Sequence, residues 1–444
     1  MSQSNQHIEV VPSNVTSDGT ISFVNGQPVM QFIIGSQDRF IHGSSIRLTG
    51  NFGLLEDVGD LPDDADNLFM DNRIGIYSCV DQIVIKSQRT NQTIETIKNY
   101  GRFMKSYVAS TQSPQDALSY VTAQSLANAN QNAMETAITL NNNNLGKNPN
   151  PFCMPLPCGL FNSGSPIPLS DTWGLGGMIV EVHLSPDSNV LYNGDANAAN
   201  IANAFYQFKN VTLVAELSTP GDDDLNKLRG MNGNTLEFNS ISSYYSTFNS
   251  TNAIINFNLG LSRVLGVFCN IVPSTYINNR SQNGMQTIYP VGGSPDPSTD
   301  AAIKQVVFTR GGERLPLQYN IDTLKRGSGL SESADPQIYR NYINAVYSFV
   351  KNMRQQSCPA NMRYGDATDA LGNGNDNLDI WGGKNVGVGV AFDTISGEGL
   401  NFQSVPFGIQ METALTDDQP QSLYMYVHSK QTLIFNQTGI QIVK

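Results

Sequence analysis

Apolar and polar residues alternate with period two along most of this chain. The segment Gly177–Leu184 reads GMIVEVHL, which places Met178, Val180, Val182 and Leu184 on one side and Ile179, Glu181 and His183 on the other. Val211, Leu213, Ala215 and Leu217 alternate in the same way with Thr212, Val214 and Glu216, and Phe407, Ile409 and Met411 alternate with Gly408, Gln410 and Glu412. Such alternation marks half-buried strands of antiparallel sheets. Further strands are predicted over Val29–Ile34, Ser45–Phe52, Gln82–Lys86, Thr235–Phe238, Ile254–Leu259, Val264–Val272, Gln305–Thr309 and Leu317–Tyr319. Clusters of Gly, Pro, Asn and Asp divide them, as in an all-β sandwich.

Two helices are predicted to interrupt the strands. Ser113-Pro114-Gln115-Asp116 resembles a capping box with proline in the first turn, and the Ala- and Gln-rich segment after it, up to Leu140, reads as helical for much of its length. Asp335-Pro336 opens the second, which carries Ile338, Tyr342, Ala345 and Phe349 at helical spacing, widened by Tyr339, Ile343, Val346 and Val350.

These landmarks recur. Subtracting 217 from the second helix start, 336, gives 119, against 114 in the first half; subtracting it from 423, where the last strands begin, gives 206, against 205. Matching punctuation without matching sequence indicates a duplicated unit. The chain therefore divides into domains 1–217 and 218–444, joined through the Pro-Gly and Asn-Gly turns of Ser218–Asn234. With 444 residues, each half is large enough for its own core. Met1–Gly19 is polar and is expected to be an arm that neighbours must order.

Charged residues make up only 14 % of the chain, below the roughly 25 % usual for soluble domains, and uncharged polar residues replace them. That surface suits a protein that packs against its own copies. Net charge is −12, and Lys and Arg form no dense run, which argues against direct nucleic-acid binding. The amino terminus MSQSNQHIEVVPSN lacks the apolar core of a signal peptide.

Candidate chemistry is sparse. No HExxH, GxSxG or GxxxxGK[ST] pattern occurs, and Trp381-Gly382-Gly383-Lys384 is only a fragment of a phosphate loop. The histidines are His7, His42, His183 and His428, and His183 and His428 are expected on the polar faces of corresponding strands. Cys79 and Cys269 fall in apolar strand patterns, Cys153 and Cys158 flank a Pro-rich loop, and Cys358 stands apart, so neither zinc nor a disulfide framework is expected. The acidic stretches Glu56–Asp71 and Asp369–Asp379 are read as solvated loops rather than calcium sites. The expectation is no enzyme, no catalytic or metal-binding residue and no cofactor.

The segments RFIHGSSIRLTGNF (Arg39–Phe52), SPIPLSDTWGLGGMIVEVHLSPDSNVLY (Ser165–Tyr192) and FTRGGERLPLQYNID (Phe308–Asp322), with the ending LYMYVHSKQTLIFNQTGIQIVK, resemble the double jelly-roll major capsid proteins, most closely those of Polinton-like viruses and virophages. The resemblance spans the chain in loose sandwich motifs. It implies two tandem eight-stranded jelly rolls, each with an inserted helix. It further implies a homotrimer of pseudo-hexagonal outline that tiles an icosahedral shell of a double-stranded DNA virus, with penton and minor capsid proteins as partners and the virion as location. The other readings are a minor capsid or spike protein of the same fold, and a secreted glycan-binding protein or hydrolase built from paired jelly rolls. The secreted reading expects a signal peptide and disulfides.

Overall fold

In the computed structural model, the described residues are 5–15, 19–24, 26, 28–56, 69–71, 74–111, 138–139, 150–192, 202–222, 234–285, 303–315, 321–322, 388–392, 398–413, 420–436 and 439–444. The main strands of the first half are β1 (Asn5–Val10), β2 (Val29–Ile34), β3 (Phe40–Glu56), β4 (Val80–Ser87), β5 (Thr93–Lys98), β6 (Asn150–Pro155), β7 (Met178–Leu184) and β8 (Ala204–Ser218). Those of the second half are β9 (Asn234–Phe248), β10 (Asn252–Phe257), β11 (Val264–Pro273), β12 (Ile303–Arg310), β13 (Glu313–Arg314), β14 (Val388–Ala391), β15 (Phe407–Thr413) and β16 (Gln421–Asn436), followed by β17 (Gly439–Val443). Helix α1 covers Tyr100–Thr111, and a single helical turn covers Asp187–Val190.

The main strands form four antiparallel sheets, beside a two-stranded one among the described residues, Phe69–Met70 with Ile138–Thr139. The first has the order β1-β8-β3, with β6 and the short strand Ile167–Pro168 on the far edge of β3; the second is β2-β7-β4-β5. The third is β9-β16-β11-β14, with β17 folded back on β16, and the fourth is β10-β15-β12-β13. Adding eight to each label of the first half reproduces the wiring of the second. The spacing repeats too: 252 − 29 and 303 − 80 both equal 223, so one shift carries β2 onto β10 and β4 onto β12. Two eight-stranded jelly rolls in tandem are the fold.

Periodicity accounts for the strands. β7 is buried at every second residue, with Met178, Val180, Val182 and Leu184 inward and Ile179, Glu181 and His183 half-exposed. β11 breaks that rule, because all ten of its residues are buried. Alternate residues Val267, Cys269 and Ile271 belong to the core of the second jelly roll, with Val427, Met425 and Leu423 of β16. Phe268 and Val272 belong instead to the core of the first, with Tyr424 and Tyr426. The third sheet is therefore covered on both faces.

Several expectations are corrected. Asn5–Val10 is no partner-dependent arm: it pairs with β8 from Asn5↔Ser218 to Val10↔Leu213, on the edge that the short strand Thr20–Ile21 also pairs. Beyond it, Ser13 N–H donates to Gln31 O (2.7 Å) and Asn14 holds β2 through Val29 O (2.7 Å). Cys79 ends a 3-10 turn, Gly75–Cys79, rather than sitting in a strand. Ile138–Thr139, in the segment read as mostly helical, pairs as a strand with Phe69–Met70. The predicted helix starts at Ser113 and Asp335, the strand Leu317–Tyr319, Cys358 and the stretch Asp369–Asp379 lie outside the described residues. α1 escaped the sequence reading, although Tyr100, Phe103, Met104 and Tyr107 have helical spacing.

Candidate functional site

The most elaborate site among the described residues is the seam where the first jelly roll covers the outer face of the third sheet. β5 supplies one side of it. The strand TIETIK places Glu95 at the seam, only 3 % exposed. Its carboxylate accepts from Ile241 N (2.9 Å) and Ser240 Oγ (3.1 Å) on β9, and from Gly159 N (3.1 Å) and Leu160 N (2.9 Å) in its own jelly roll. Burial pushes the Glu95 carboxyl above its ordinary range, against the pull of these four donors. Gly159 is required by close approach: a Cβ there would lie 2.0 Å from Asn239 O. Beside it, Lys98 N–H donates to Ser243 Oγ (3.1 Å).

Asn99, with φ of 53°, ends β5 in the left-handed region and turns the chain into α1. Its carbonyl accepts from Phe103 N (3.1 Å) and from the Tyr426 hydroxyl (2.8 Å). The Phe103 ring centroid lies 5.6 Å from that of Tyr426 and 6.2 Å from that of Phe268. The Arg102 guanidinium sits 4.4 Å from the Tyr424 ring centre, a buried cation–π contact. Asn270 Nδ2 donates to Arg102 O (2.7 Å), and its Oδ1 accepts from Ser106 Oγ (3.0 Å).

Lys105 is buried as well and pairs with Asp71, which also accepts from Asn283 Nδ2 (2.9 Å) and Ile74 N (3.2 Å). Burial alone would raise the Asp71 carboxyl; the Lys105 ammonium and these donors reverse that and hold it below its ordinary value. Asp71, one end of the acidic stretch read as a solvated loop, is thus a buried ion-pair partner of α1.

His428 corrects a second expectation. It is fully buried on β16, not on a solvated polar face, and burial lowers its pKa to about 3, so the ring is neutral at ordinary pH. His183 is not on the corresponding strand either, since β7 matches β15, but it does lie on the half-exposed face, 3.6 Å from Glu181. His7 and His42 flank Glu216 in register on the outer face of the first sheet. His7 Nε2 is 3.8 Å from Glu216, and His42 Nε2 is 2.8 Å from Ser218 Oγ. Cys79, Cys158 and Cys269 are buried free thiols, while Cys153 is free and exposed on β6. Among the described residues no group of three or more His, Cys, Asp or Glu is placed to hold a metal ion, and no helix is long and apolar enough to cross a membrane.

The seam fixes one jelly roll against the other through aromatic packing and buried polar bonds. No protein-family model matches the chain, and no curated protein matches it by sequence. Solved structures do. The crystal structure of VP54 of PBCV-1, fitted into a reconstruction of the virophage Sputnik, superposes with a TM-score of 0.59 at 10 % identity, over 100 % of this chain and 97 % of that one. A quasi-atomic description of the PBCV-1 capsid gives the same values. A chain from the cryo-EM structure of the Sputnik virophage matches with a TM-score of 0.53 at 10 % identity, over 99 % of this chain and 88 % of that one. At such identities the likeness is one of fold, and it covers both jelly rolls.

Proposed function

We propose that this chain is a viral major capsid protein: a homotrimer whose six jelly rolls form a pseudo-hexagonal tile of an icosahedral shell in a double-stranded DNA virus. The observation that carries this reading is the repeated wiring of two jelly rolls welded by a buried seam. Such a chain is a ready-made pair of near-equivalent wall elements, and a threefold axis makes six of them. The whole-chain likeness to structures from PBCV-1 and Sputnik supports it, as does the low share of charge.

On this reading the jelly rolls divide at Leu217/Ser218, the chain works in the virion without enzymatic activity or cofactor, and its partners are its own copies, neighbouring capsomers, and penton and minor capsid proteins. Light scattering on a sizing column is expected to give about three times the 48.4 kDa chain mass, and electron microscopy a hexagonal outline. A stable monomer at micromolar concentration would overturn the reading. In purified particles the chain should dominate by copy number; a minor share would favour a spike or minor capsid role.

A further inference from the structure

After β11 the chain leaves the third sheet and crosses the first jelly roll as a strap, Ser274–Met285. Asn278 N donates to Asn189 Oδ1 (2.7 Å), and Arg280 Nη2 donates to Ala204 O (2.8 Å). The end of the strap is fastened to α1. The Arg102 guanidinium donates to Gly284 O, and a Cβ on Gly101 would lie 3.2 Å from Met285 Cε. Lys105 follows Arg102 by three residues, so it sits about one helical turn along from that clamp.

Three groups converge there. Lys105 Nζ and Asn283 Nδ2 both donate to the same atom, Asp71 Oδ2, the second of them at 2.9 Å. Asp71 is 1 % and Lys105 2 % exposed, and Asn283 is half-buried. The amide is held at its oxygen too, because Met285 N donates to Asn283 Oδ1 (3.0 Å). Acyl transfer to an amine needs a nucleophile, a proton carrier and a donor for the charge that develops on oxygen. Lys105, Asp71 and Met285 N are placed for those three parts around Asn283.

We infer that Lys105 and Asn283 are the two ends of an intramolecular isopeptide bond, with Asp71 relaying the protons. Asp71 takes a proton from the Lys105 ammonium, the Nζ–Cγ bond forms, and negative charge collects on Oδ1 against Met285 N. The Cγ–Nδ2 bond then breaks, and Asp71 passes to Nδ2 the protons that Nζ gives up. The amide nitrogen leaves as ammonium, Asp71 returns to carboxylate, and nothing is oxidised or reduced. Each chain reacts once, so this is self-modification without turnover. The Lys105 ammonium holds the Asp71 carboxyl below its ordinary value, so the neutral pair through which attack runs is scarce and the bond forms slowly after folding. Holding the reacting groups together in a buried site offsets that scarcity. The product ties α1 of the first jelly roll covalently to the strap of the second.

The test is intact-mass spectrometry of the full-length protein after prolonged incubation, followed by tryptic mapping. The wild type is expected to lose one ammonia per chain, to yield a branched peptide joining Lys105 to Asn283, and to run faster on a denaturing gel. Asn283→Ala retains the buried Lys105–Asp71 pair and is expected to fold and to keep its calculated mass. Lys105→Met is expected to keep its calculated mass as well. An unchanged wild-type mass overturns the inference. So does loss of ammonia with Lys105 unmodified, which is ring closure of Asn283 onto Gly284 N. Loss of water with Lys105 joined to Asp71 overturns it too, because the carboxylate is then the acceptor and not the relay.

Discussion

The first and third sheets share their strand order and much of their spacing, yet their outer faces differ. On the third, Phe268, Val272, Tyr424, Tyr426 and Ile241 are buried under α1 and β5. On the first, the corresponding face carries Ser45, Thr49, Val214 and His7, all at least partly exposed. Both faces belong to jelly rolls of one topology, so topology does not set their polarity. What covers a face sets it: a permanent neighbour in the same chain permits aromatic packing, and a free or reversible face retains solvated groups.

The comparison breaks most visibly at the buried charges. Lys105→Met leaves Asp71 buried without its cation and should cost about 3–5 kcal/mol, whereas Arg47→Met on the first sheet should stay within about 1 kcal/mol. Urea titration of the two variants checks this, and equal midpoints would show that the seam is no more demanding than the free face.

Phe268→Ala removes a ring packed against Phe103 and Tyr426 and should cost about 3–5 kcal/mol. Its counterpart Ser45→Ala loses a hydroxyl that accepts from Glu216 N (2.8 Å), worth about 1 kcal/mol. The same titration ranks them, and a reversed order would refute the assignment of the covered face.

Acid provides the finest discrimination. His428 titrates near 6.5 when unfolded and near 3 when buried, so the unfolded chain binds the extra proton between those values. Its contribution is complete above 6.5 and falls with pH by up to about 1.4 kcal/mol per unit until about 3. Glu95 acts in the opposite sense: its raised carboxyl contributes most in acid and loses that contribution as pH rises through its folded value. His428→Asn should flatten the acid limb of the stability curve and Glu95→Gln should steepen it; unchanged slopes in both would show that neither titration is coupled to folding.

Much of the fold was legible because strand periodicity is local. Val29–Ile34 matches β2 to the residue, and the 217-residue offset found the end strands β8 and β16, since each strand writes its own alternation and its own turns. The site was less legible. The helix α1 was readable from Tyr100, Phe103, Met104 and Tyr107, but the strand TIETIK gives no sign that Glu95 bonds two segments far along the chain. His428 was misplaced for the same reason. In LYMYVHSK the alternation separates Tyr424, Tyr426 and His428 from Leu423, Met425 and Val427, and so identifies two faces.

Sequence by itself therefore determined most of the strands and their division into two like units. Only tertiary structure decided which sheet has both faces covered, because a strand's pattern reports how its two sides differ and not what lies against each. That depends on Phe103 and Glu95 arriving from more than a hundred residues away, a contact set by the packing of whole sheets rather than by any window of the chain.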